Sequence, residues 1–311
     1  MEIPRLAAFR KFYISTIYPE LLRNERLRKR MLYGVYGSLL FIVAICTLAF
    51  IFKFGFLVLL LAVPFLFYLV SIYRRFDDFR SAFKSSVISL IMEFLNQAPN
   101  FLALTFDHLG TVAQDRFTRS GLFGGRELTY RGEDYIKGIV GEMPFELSEI
   151  YVQDISQASN RLKLVFGGIF IHAVFNENNE GGHLAAWPKA LSRHTATSIR
   201  DFIIHNGKDA DIELKVPAFA DYFLTLAKPG TTVHKLLTEP MQKALIRFVE
   251  TTGRVLYFSI LNQDLFVAIA YERDLLEPYF FRSNLSFELV CEFYTDLILI
   301  LNTIQDFDQT R

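Results

Sequence analysis

Apolar residues run almost unbroken from Met31 to Phe52 and again from Phe54 to Tyr73, with Lys53 the one charge between them. As helices the two runs would be about 33 Å and about 30 Å long, against a hydrocarbon core of about 30 Å. Each carries a dozen or more Leu, Ile, Val and Phe, and each such residue favours insertion by about 0.3–0.6 kcal/mol. Helices apolar on every face over this length belong in lipid, and a buried hairpin in a soluble core is the lesser reading. A cleaved signal peptide fits poorly, because the run starts late, is too long and lacks a small-residue cleavage site. The pattern predicts a transmembrane hairpin over 31–73 with a tight turn at Lys53 and Gly55. Pro64 predicts a kink in the second span. Gly34 and Gly37 are three apart rather than four, so they offer little for helix pairing.

The flanks orient the hairpin. Arg26, Arg28, Lys29 and Arg30 precede it, and Arg74 and Arg75 follow it. Positive flanks stay in the cytoplasm, so both termini are expected there, with the Lys53 turn outside. Basic residues beside a membrane also attract anionic headgroups, by about 1 kcal/mol each. Residues 1–30 form an N-terminal amphipathic segment with Phe9, Tyr13 and Ile17 four apart. It would either lie on the membrane or pack on the cytoplasmic domain.

Residues 74–311 read as a cytoplasmic mixed α+β domain, with a possible sub-boundary near 177–210. The second span continues as a helix from Phe76 to Asn96, ended by Pro99. A helix is predicted over His108–Arg119. From Glu127 the period changes to that of strands, two or three up to Ser156. One long bent strand or a strand pair follows over Arg161–Asn176, with a possible bulge at Gly167-Gly168. Trp187-Pro188 reads as a turn or short helix, Thr197–His205 as a short element, and Ile212–Val216 as a strand. Thr238-Glu239-Pro240 starts a helix that Gly253 stops. Arg254–Tyr271 forms a β-hairpin. Ser283 or Asn284 caps a last helix striped by Leu285, Leu289, Phe293, Leu297, Leu301 and Ile304. Strands and helices mix without strict alternation, which favours α+β over a doubly wound sheet.

Charge removes one function class. The 311 residues carry 33 basic and 33 acidic side chains, so nothing in the net charge draws the chain to nucleic acid. Cys46 in the first span and Cys291 in the last helix imply no disulfide framework.

The search for chemistry is mostly negative. Gly121-Leu-Phe-Gly124-Gly125 lacks the Lys-Ser/Thr of a phosphate-binding loop, and no serine has nucleophile-elbow flanks. His183, His194 and His205 recur every eleven residues, a spacing without metal-ligand logic. No metal or cofactor is expected. The weak catalytic candidates are Glu133, Asp134 and His172. Adjacent carboxylates could serve acid–base or divalent-metal chemistry. Against that, Gly132-Glu133-Asp134 reads as a turn between strands, and neighbours on a strand point to opposite faces.

One order of motifs is distinctive. A basic segment, a two-span hairpin and a long helix precede Ser120-Gly-Leu-Phe123, then Tyr130-Arg-Gly132-Glu133-Asp134-Tyr135, then Phe145-x-Leu147-Ser148-Glu149 and Val165-Phe-Gly-Gly-Ile-Phe170. This resembles a bacterial two-span membrane-protein family catalogued as a domain of unknown function, sometimes labelled galanin. The resemblance is clearest over residues 120–176 and fades afterwards. Family members place Asp-x-x-x-Ala-Arg before a Leu-Thr-Pro helix start, whereas here Ala227-Lys-Pro-Gly230 and Leu237-Thr238-Glu239-Pro240 stand in without the arginine. The resemblance implies a bacterial inner-membrane protein with a cytoplasmic α+β domain, and supplies no activity. The expected function is a membrane-anchored, non-catalytic interaction or regulatory protein. Its partners would be the lipid bilayer and another membrane or cytoplasmic protein. The alternatives are a membrane-face enzyme and a lipid-handling accessory protein.

Overall fold

A computed structural model describes residues 6–53, 55–124, 128–156, 161–176, 182–191, 195–271 and 276–308. The chain divides into two compact units: Met1–Phe94 with Leu276–Phe293, and Leu95–Leu275 with Tyr294–Arg311.

The first unit is helical. Helix α1 (Leu6–Phe12) passes through one π-helical turn, Tyr13–Ile17, into α2 (Tyr18–Phe52). The wide turn precedes Pro19, which has no N–H to give the carbonyl four residues back, and Tyr18 donates instead to the Tyr13 carbonyl. Lys53, in the left-handed conformation at φ 58°, closes α2. Helix α3 (Gly55–Leu95) then runs through Pro64. Phe41 of α2 stacks on Phe65 of α3 at 4.2 Å. Contrary to the expectation from spacing, Gly34 does serve helix contact, since a Cβ there would press on the Tyr68 hydroxyl and Ile72. Residues 6–52 form one helix long and apolar enough to cross a membrane, and only 11% of its most apolar stretch is buried. The residues four apart in the N-terminal segment pack inside this helical unit. Phe9, Tyr13, Ile17 and Leu21 are buried, with the Phe9 ring against Phe94 and Phe287.

The segment from Leu276 closes this unit through buried polar contacts. Arg28 and Glu25 form a buried ion pair at 2.7 Å, and Arg28 also donates to the Phe280 carbonyl at 2.6 Å. Glu277 takes both Arg80 and the fully buried Lys84. Burial alone would raise the Glu25 carboxyl, but hydrogen bonds from Arg28 and the Asn284 N–H hold it below its usual range.

The second unit is built on a nine-stranded sheet in the order β1-β2-β3-β4-β9-β8-β5-β7-β6, with every pairing antiparallel. The strands are β1 (Phe101–Asp107), β2 (Leu128–Val140), β3 (Met143–Ser156), β4 (Arg161–Val174), β5 (His183–Pro188), β6 (Lys208–Asp209), β7 (Phe223–Ala227), β8 (Leu256–Leu261) and β9 (Asp264–Ala270). Short helices α4 (Gln114–Arg119), α5 (Ala196–Ile204), α6 (Phe219–Tyr222) and α7 (Val233–Leu236) sit in the connections, α8 (Glu239–Thr252) is longer, and α9 (Phe287–Asp308) starts in the first unit and belongs to this one from Tyr294. The central strands are buried on both faces. On one face Ile150, Val152, Phe166, Phe170, Phe266 and Ala268 join Phe117 of α4, Phe202 of α5 and Trp187 in a core. The Trp187 indole donates to the Leu122 carbonyl at 2.9 Å, satisfying its one polar atom. The alternate residues Leu147, Ile169, Ile171, Val267 and Ile269 are buried as well.

Mixed α+β is therefore the observed class, and several elements differ from expectation. The helix predicted over His108–Arg119 is only α4, because the residues from His108 to Ala113 are held in extended and turn conformations by side chains described below. Strand β1 was not legible, since Ala103 at φ 53° makes a bulge that breaks the alternation. Trp187-Pro188 ends strand β5. Ile212–Val216 is not a strand: Asp211–Glu213 is a 3-10 turn, and the strand is β6 just before it. Ser286, rather than Ser283 or Asn284, caps α9 by accepting the Glu288 N–H at 3.1 Å, while Asn284 bonds to Tyr279. The polar residues from Asn176 to Gly182, which read as a loop between strands, lie mostly outside the described residues.

Gly168 has φ 145°, and a Cβ there would strike the Ile269 carbonyl and the Tyr271 nitrogen, both backbone atoms. Gly168→Ala is expected to cost about 3 kcal/mol and to lower the apparent melting temperature of the detergent-solubilised chain by circular dichroism. Gly37, with nothing within 4 Å of a Cβ, is the control, and G37A should leave the melting temperature unchanged or slightly raised.

Candidate functional site

His172 lies on β4 between Glu146 of β3, its direct cross-strand partner, and Phe266 of β9, on which its ring stacks. Its Nδ1 is 3.0 Å from Glu146 Oε1, and its Nε2 is 2.6 Å from Asp264 Oδ1. The ring thus reaches one carboxylate from each nitrogen. Helix α4 supplies two cations beside them. Arg116 is 3.7 Å from Glu146 and Arg119 is 2.6 Å from Asp264, while Phe117 between them is buried in the core. The Tyr135 hydroxyl donates to Glu146 at 2.8 Å. Burial and that bond push the Tyr135 phenol up to about 12. The His172 hydrogen bond, helped by Tyr135 and Arg116, holds the Glu146 carboxyl below its ordinary value despite burial. The network thus fastens α4 across three strands. His172 itself is only 3% exposed, and with Arg116, Tyr135 and Glu146 it lines a cleft of about 530 Å³.

Glu133 and Asp134 lie within β2, not in a turn between strands. The register with β3 slips between Glu133 and Ile136, and Asp134 adopts φ 59°. Asp is one of the few residues that tolerate this conformation. The slip overturns the alternation argument, because carboxylate oxygens of Glu133, Asp134 and Glu149 lie within 4.8 Å of one another. Such oxygen donors suit a hard divalent cation in chemical type. Asp134 is already engaged, since its buried carboxylate meets His108 Nδ1 at 2.7 Å and its N–H donates to the His108 carbonyl at 3.0 Å. These bonds, with Val112 N–H to Ser148 Oγ at 3.0 Å, hold His108–Val112 out of a helix. Gly132 is required here, since a Cβ would overlap the Thr111 hydroxyl. Beside the carboxylates runs a cleft of about 990 Å³, lined by Arg131, Tyr151, Gly168 and Tyr271 among others.

The remaining sequence candidates scatter. His183, on β5, meets Phe202 edge-on at 4.7 Å. Burial, and secondarily Lys228, push it down to about 4, so it is neutral near pH 7. His205 bonds the Asp201 carbonyl at the end of α5, and His194 lies outside the described residues. Arg26, Lys29, Arg30, Arg74 and Arg75 are exposed, whereas Arg28 turns inward to Glu25. Sequence reading missed Glu146, Asp264, Arg116 and Arg119. For Glu146 the one signal was that a β3–β4 pairing in register sets it opposite His172.

Residues 164–309 match the family described as Protein of unknown function (DUF3137). That span is a little under half of the chain. It is consistent with an uncharacterised family, but it covers the part where the motif resemblance was expected to fade and leaves residues 120–163 outside. No curated protein and no solved structure matches the chain.

The folded Glu146 carboxyl lies below its ordinary 4.5. Its stabilising contribution is therefore present above that value and lost as pH falls through the folded pKa. His172→Gln is expected to lower stability at pH 7 by about 2 kcal/mol, through the hydrogen bonds it loses to partly buried carboxylates, and to flatten the acid-side decline below pH 4.5 in pH-resolved thermal unfolding. Parallel wild-type and variant curves would show that His172 does not hold Glu146.

Proposed function

We propose that this chain is a membrane-anchored, non-catalytic interaction or regulatory protein of a bacterial cytoplasmic membrane, within the two-span family sometimes labelled galanin. In this reading the apolar runs of α2 and α3 cross the bilayer, the Lys53 turn is outside, and both termini and the sheet domain are cytoplasmic. The supporting observation is the α2 surface. Leu40 is 74% and Phe50 87% exposed, and a patch of that size is a contact surface for lipid or protein. The exposed arginines and lysine at both span ends fit the inside-positive orientation. His172 and Asp134, two of the three weak catalytic candidates, are committed to partners that hold the fold, which favours a binding role over catalysis. The cleft beside Glu133, Asp134 and Glu149 favours a second reading, a membrane-face enzyme or lipid-handling accessory.

The full chain, tagged at its C-terminus and purified in mild detergent from its native membranes, is expected to bring a stoichiometric protein partner. An E133Q variant should retain that partner and the cellular phenotype. Bound lipid with no protein would move the reading to lipid handling. A bare protein, with loss of phenotype in a folded E133Q variant, would move it to catalysis.

A further inference from the structure

We propose that the loop Tyr279–Arg282 is a bilayer contact, with Phe281 entering the interfacial zone and Arg282 facing anionic lipid headgroups. The proposal rests on the transmembrane reading of α2 and α3.

Its contacts give the loop's height along those helices. Glu277 bonds Arg80 at 2.7 Å and also meets Lys84, which lie about 10 and 16 Å beyond Tyr73 at 1.5 Å per residue. Phe280 sits higher. Its carbonyl accepts from Arg28 and its ring meets Phe76 edge-on at 4.7 Å, each about 4.5 Å from a span end. The chain then descends. The Asn284 N–H lies 3.4 Å from Glu25, the Leu285 carbonyl accepts from Tyr13 at 3.0 Å, and Phe287 packs on Phe9 and Tyr13. The apex at Phe280–Ser283 is therefore the part of this segment nearest the bilayer.

The apex has the composition of an interfacial anchor. Phe281 is 70% and Tyr279 48% exposed, and Arg282 is exposed. Exposed Arg30, Arg74 and Arg75 lie at the same height on the helices. Aromatic side chains with basic neighbours favour the headgroup level of an anionic membrane. The loop is also preorganised. Asn284, 2% exposed, accepts from the Tyr279 N–H at 2.7 Å and donates to the Tyr279 carbonyl at 3.0 Å. The Phe280 ring meets Phe281 edge-on at 5.0 Å. Continuity with the span ends and the run of positive charge select a lipid surface as the occupant, rather than a protein.

The test places a tryptophan at the apex. Full-length F281W and, separately, L40W in the first span are reconstituted into phosphatidylglycerol/phosphatidylcholine vesicles with brominated acyl chains. Trp187, the single native tryptophan, is fully buried, so wild-type emission supplies the background. Both probes are expected to lose emission to the bromines, with F281W blue-shifted from its spectrum in detergent-free water-exposed peptide. Adding R282E should weaken quenching at F281W and leave L40W as it was. Quenching of L40W without quenching of F281W would overturn the loop contact alone. Quenching of neither would overturn the membrane reading with it. Unchanged F281W quenching in the R282E background would overturn the headgroup role of Arg282.

Discussion

The first unit depends on apolar surface that its own fold leaves uncovered. Helix α2 presents Tyr33, Leu40, Val43, Phe50, Ile51 and Phe52 outward, while its described contacts with α3 include Gly34 beside Tyr68 and Ile72 and the stack of Phe41 on Phe65. Water is a poor solvent for such a surface, so the environment of α2 decides whether this unit holds together. Lipid is the proposed environment. The polar features below the apolar run then acquire a purpose: exposed cations where the helix leaves the apolar zone, and paired charges wherever the helices turn inward.

Buried charge in both units does mechanical work through complete pairing. Arg28 is shared by Glu25 and a backbone carbonyl, and Lys84 and Arg80 by Glu277, so the returning segment at Leu276–Phe287 is fixed to helices far away in sequence. In the sheet unit His172 plays the corresponding part between two carboxylates, each reached by an arginine of α4. Breaking such a pair costs more than making it gains, because the partner left behind is buried and charged. These pairs therefore help to specify the fold.

How much was legible in the sequence follows from the range of the interactions. Helix α8 was readable because its signals are local, from Thr238-Glu239-Pro240 at its start to Gly253 at φ 63° after its end. The β8–β9 hairpin was readable because its turn at Asn262 and Gln263 interrupts two apolar runs. Strand character over Arg161–Asn176 and the α+β class followed from periodicity, while the choice between a strand pair and the single strand β4 did not. Strand β1 and the Glu133–Asp134 bulge were hidden because left-handed residues at Ala103 and Asp134 break the alternation. The His172 network was hidden for a different reason. Its partners stand 26 and 92 residues away, and only strand register and sheet order bring them together.

Cysteine accessibility in intact cells tests the central claim most directly. A membrane-impermeant maleimide is applied to cells expressing the full chain with K53C or R75C, each in a background lacking Cys46 and Cys291, and to the chain retaining only Cys46. The expected result is labelling of K53C from outside, labelling of R75C only after permeabilisation, and an unreactive Cys46. Free labelling of Cys46, or equal labelling of K53C and R75C from the same side, would contradict a two-span anchor with a cytoplasmic sheet domain.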